Sequence, residues 1–75
     1  MSSLARFSKL ASEWQLAREA AVLKQLAMDL KMNNYLSGNG NAPTRSEQRE
    51  IEELRRIEAI KRREMDEFIA ERAIN

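Results

Sequence analysis

The sequence predicts an all-α fold: two long helices joined by a Gly/Asn-rich loop, a helical hairpin whose core is completed by oligomerisation into a bundle or coiled coil. Three observations carry that prediction. The apolar residues are mostly Ala (ten) and Leu (eight), with one Val, in a chain that is 33% charged. Ala, Leu, Glu, Lys and Arg favour helix over strand. Both glycines and the single proline fall within residues 38–43, so helix breakers are confined to one place. On either side, apolar residues recur at spacings of three and four, the period of a helix face.

The first helix is expected over about 3–34, with Ser2 or Ser3 as its N-cap, because a hydroxyl there accepts a free first-turn amide. Its apolar residues do not form one stripe. Leu4, Phe7, Ala11 and Trp14 share one face; Leu16, Ala20, Leu23, Ala27 and Leu30 share another. At about 100° per residue the two faces are offset by roughly 160°. With no Gly or Pro between them, a sharp kink lacks its usual cause. Two separate contact surfaces are therefore expected, and Ala20 and Ala27 allow a partner helix to approach closely.

A loop is expected over about 35–44, where Asn33-Asn34, Ser37-Gly38-Asn39-Gly40-Asn41 and Pro43 accumulate. Thr44-Arg45-Ser46-Glu47 has the pattern of a capping box, in which Thr44 and Glu47 each satisfy a backbone amide near the other. The second helix then runs over about 45–73. Ile51, Leu54, Met65 and Phe68 fall at a and d of a heptad, with Ile57 and Ile69 flanking. The remaining a and d positions are Glu58 and Lys61. Such a polar layer sets register or oligomer state at some cost in stability. Arg49/Glu53, Glu52/Arg56, Glu58/Arg62 and Arg63/Glu67 are opposite-charge pairs four apart, the spacing that supports an exposed helix.

These elements are expected to form a single domain over 1–75. Each helix would be roughly 45 Å long, whereas a compact chain of this size has a radius of gyration of about 11 Å. Small chains that cannot build a sufficient core need another source of stability. With no Cys that source cannot be a disulfide, which leaves association.

Composition also bounds the chemistry. Absence of His and Cys removes the usual nucleophile-base pairs, zinc-thiolate sites and the Glu-x-x-His ligands of di-iron bundles. No enzymatic activity, cofactor or metal is expected. The longest uncharged run, Met32 to Thr44, is too short and too rich in loop residues for a membrane span. Residues 1–12 contain four Ser, Arg6 and Lys9 and no acid, which resembles the start of a mitochondrial presequence, but Glu13 and Glu19 interrupt it. A cytoplasmic location is expected, with a mitochondrial one as the alternative.

The functional expectation is a protein-protein interaction module: an assembly subunit, adaptor or small regulator. Its partner is a second copy, as in a dimeric four-helix bundle, or a larger assembly. The expected interface comprises Leu4, Phe7, Trp14, Leu16, Leu23, Leu30, Ile51, Leu54, Ile57, Met65, Phe68 and Ile69, with Glu58 and Lys61 as register layer. The alternative is a small dimeric nucleic-acid-binding regulator using Arg55, Arg56, Arg62 and Arg63, pairs of which share a helix face. Acidic residues interleave them: residues 43–75 hold eight basic and nine acidic side chains, a weak footprint for a polyanion.

Overall fold

In the computed structural model, which describes residues 2–73, the chain forms α1 over Ser3–Leu36 and α2 over Arg45–Ala73. The expected domain span also takes in 1, 74 and 75, which lie outside the described residues. No strand occurs among the described residues. The Ser2 hydroxyl accepts the Ala5 amide at 3.1 Å, capping α1. From there α1 runs unbroken for 34 residues, two beyond the expected end. No break in the helix separates its two apolar faces.

The reason α1 stops lies in its last turn. Gly38 adopts φ +82°, a left-handed conformation that costs a residue with a Cβ more than a glycine. The Gly38 amide donates to the Tyr35 carbonyl at 3.0 Å and the Asn39 amide to the Asn34 carbonyl at 2.7 Å. Those two bonds are a Schellman motif, which satisfies carbonyls that the end of a helix leaves free. At the start of α2 the Glu47 amide donates to Thr44 Oγ1 and the Thr44 amide to Glu47 Oε1, both at 3.1 Å. The capping box is therefore closed in both directions.

The two helices pack side by side as an antiparallel hairpin with extents of 57 × 16 × 16 Å and a radius of gyration of 17.0 Å. The seam follows a heptad on each helix. On α1 Phe7, Leu10, Trp14, Ala17, Ala21, Lys24, Met28 and Lys31 are withdrawn from solvent, with Ala11, Glu13 and Gln25 beside them; on α2 the withdrawn residues are Glu47, Ile51, Leu54, Glu58, Lys61, Met65 and Phe68. Alternating steps of three and four keep one narrow face of each helix toward the other. A two-layer hairpin encloses little, and among the described residues only Ala21, Ile51 and Phe68 are buried. Phe7 and Phe68 close the terminal end, with ring centroids 6.3 Å apart, within the range of favourable aromatic pairs.

Candidate protein-interaction surface

The residues expected to form one interface divide into two sets. Phe7, Trp14, Ile51, Leu54, Met65 and Phe68 lie in the seam, so they hold the hairpin together. Leu4, Leu16, Leu23 and Leu30 lie outside it, with exposures of 76%, 67%, 67% and 62%. Ile57 and Ile69 sit at the margin of α2 and remain open to solvent. Leu26, 60% exposed, joins the outer set, although it is not among the residues expected at the interface.

Leu16, Ala20, Leu23, Ala27 and Leu30 run along α1 in steps of four and three, so they form one line on its surface, with Leu26 beside it. This line is turned away from α2. All five of its members are exposed, while Ala17, Ala21 and Met28 on the other side are withdrawn into the seam. α1 thus carries one packed face and one apolar line that α2 leaves uncovered.

The electrostatics keep that line neutral. Lys24 and Lys31, the cations nearest its middle and end, are each drawn toward α2: Lys24 Nζ lies 2.5 Å from Glu50, and Lys31 Nζ lies 2.5 Å from Glu47. Hydrogen bonding to the Glu50 carboxylate raises the Lys24 pKa above its usual value. The Lys31 ammonium, followed by the Thr44 amide, lowers the Glu47 carboxyl from 4.5 to about 2. Glu47 thus closes the cap of α2 and clamps α1 at once.

The polar layer also lies within the seam. Glu58 Oε1 accepts the Trp14 indole N–H at 3.1 Å, and Lys61 Nζ donates to Glu13 Oε2 at 3.2 Å. Both partners come from α1, and the closest approach of Lys61 within α2 is to Glu64, at 4.0 Å. No side-chain polar atom that is buried among the described residues lacks a partner, so the layer is satisfied.

The four arginines of the nucleic-acid alternative are mostly engaged. The Arg55 guanidinium donates to Gln25, Arg56 donates to Glu53, and Arg62 lies 3.7 Å from Asp66. Arg62 also lies over the Trp14 ring at 5.5 Å, with Arg18 at 5.8 Å from the same ring. Arg63 is exposed. These contacts differ from the four ion pairs expected from spacing, none of which forms among the described residues. Glu58 is diverted to Trp14, and Arg56 finds Glu53 at three residues' separation. Surface ion pairs four apart are worth only a few tenths of a kcal/mol, so a tertiary contact readily outcompetes them.

Among the described residues no group of three or more acidic side chains is placed to hold a metal, and no helix is long and apolar enough to cross a membrane. Comparison with protein-family models, with curated proteins and with solved structures finds no match to this chain.

Proposed function

We propose that this chain is a non-enzymatic protein-protein interaction module that binds through the outer face of α1. The observation that carries the reading is the exposed line of Leu16, Leu23 and Leu30, with Leu26 beside it, on a helix whose opposite face is already packed. Fully burying one leucine is worth about 1.5–3 kcal/mol, so leaving four exposed forgoes much of what a small chain has to gain. A helical partner fits the shape. Gln15, Arg18, Glu19 and Val22 rim a shallow hollow of about 390 Å³ beside Leu23. Leu23 joins this hollow to the leucine line, and the other four residues lie on the adjoining flank of α1.

The test is affinity capture from the native source with the intact chain and with a Leu16→Gln/Leu23→Gln/Leu30→Gln variant. None of these residues contacts the seam, so the variant is expected to keep its helical circular dichroism and to lose whatever the intact chain associates with. Association that survives in a folded triple variant would overturn the reading.

A further inference from the structure

Resting on that reading, we infer that the occupant of the outer face of α1 is a second copy of this chain, packed antiparallel through α1 about a two-fold axis near Gln25. Three features of the face support a self-complementary contact. The first is its alternation of size. Leucine and alanine occupy successive positions of the line. In an antiparallel pair each a-type position faces a d-type position, so Leu23 of one copy is placed against the partner's Ala27, and Leu30 against the partner's Ala20. These four central layers then have the same volume, large against small, which lets the helices approach closely; at each end Leu16 falls opposite the partner's Asn34.

The second feature is the extent of the face. Apart from Leu4, every exposed large aliphatic or aromatic residue of α1 lies between Leu16 and Leu36. The proposed axis overlaps residues 14–36 of the two copies, a length of roughly 34 Å, and leaves the more polar N-terminal third of α1 outside. The four exposed leucines and two alanines offer on the order of 500 Å² of apolar surface per copy. That is somewhat more than half of the roughly 800 Å² per partner that a stable dimer buries, so flanking side chains have to supply the remainder. An isologous contact uses this same patch twice, so no second apolar surface is required.

The third feature is charge. The line itself carries no charge; the axis brings the two copies of Lys24 within about 3 Å of each other along the helices, but each ammonium is held toward α2 by Glu50, as Lys31 is by Glu47. Glu19 borders it, but the proposed axis keeps the two copies of Glu19 about 18 Å apart along the helices and sets each beside the partner's Asn33. Near the axis Leu26 meets the partner's Leu26, which accounts for an exposed leucine outside the heptad line.

Sedimentation of the purified chain tests this directly. The expected result is a species of twice the 8.7 kDa chain mass at tens of micromolar. Leu23→Glu places two charges in the contact and is expected to raise the dissociation constant at least about a hundredfold with helical content retained in the monomer. Because the chain has no Cys, single cysteines report the geometry. A short bismaleimide is expected to link Leu26→Cys to its own copy and to leave Ser8→Cys unlinked, since the axis puts the two copies of Ser8 roughly 50 Å apart. The linking result stands whether or not Leu23→Glu folds. A monomeric intact chain at 100 μM, a dimer indifferent to Leu23→Glu, or equal linking at both cysteines overturns the inference. A monomer overturns self-association alone; the wider docking reading fails only if native association survives the triple glutamine variant.

Discussion

Replacing Glu58 and Lys61 together by leucine is expected to stabilise the hairpin. Glu58 is half-buried at an a position and Lys61 at a d position of the α2 heptad, Lys61 with a side-chain exposure of 32%. Two leucines at this depth recover about 1–2 kcal/mol each. Against this stands the loss of two contacts. The hydrogen bond from the Trp14 indole to Glu58 is partly solvated and worth about 1.5 kcal/mol as a charge-assisted bond. The Lys61–Glu13 ion pair, with both side chains about one-third exposed, contributes about 0.5 kcal/mol. Trp14 and Glu13 are not buried, so water satisfies both once their partners are gone. The balance is a gain of about 1 kcal/mol, which for a domain of this size raises Tm by about 4–8 °C. Thermal melts followed at 222 nm, at one fixed chain concentration so that association does not confound the comparison, measure the shift. A fall in Tm of 4 °C or more in the double variant would show that the polar layer stabilises the seam rather than costing it.

Phe68→Ala attacks the other end of the seam. Phe68 is buried and packs against Phe7, so its loss is expected to cost about 3–5 kcal/mol. That is comparable with the whole stability of a core this small; a variant with unchanged helicity and Tm refutes the packing described for the terminal end. Acid acts through Glu47. Its carboxyl titrates near 4.5 when free of these partners and near 2 in the hairpin, so the folded state binds a proton less readily than the unfolded one. The stability this supplies is fully present above about pH 4.5 and is lost as pH falls toward 2. Urea midpoints are expected to drop between pH 5.5 and 2.5, and the drop to shrink in Glu47→Gln; an equal drop in both removes Glu47 as the cause.

Local chemistry made much of this architecture legible in the residues themselves. Ser2, Gly38, Thr44 and Glu47 punctuate the chain because capping and left-handed backbone are satisfied within a few residues, and the heptad of Ile51, Leu54, Met65 and Phe68 identifies the packed face of α2 because its other sides are charged. The packed face of α1 was only partly legible. Phe7 and Trp14 marked one end, but Ala17, Ala21, Lys24 and Lys31 are small or charged and do not announce a seam. Apolar residues occur around much of the α1 circumference, so no single stripe stood out.

Sequence alone thus determined two helices, their N-terminal caps, the loop and an excess of apolar surface over what one hairpin can hide. Only the tertiary structure decided which part of that surface is spent inside the hairpin and which part stays free. The physical reason is that the heptad face of α2 covers only one side of α1, and packing it against Phe7, Trp14 and Ala21 turns Leu16, Leu23 and Leu30 outward. The same packing carries Lys24 and Lys31 within reach of Glu50 and Glu47, and so leaves a neutral leucine line on the outside of α1.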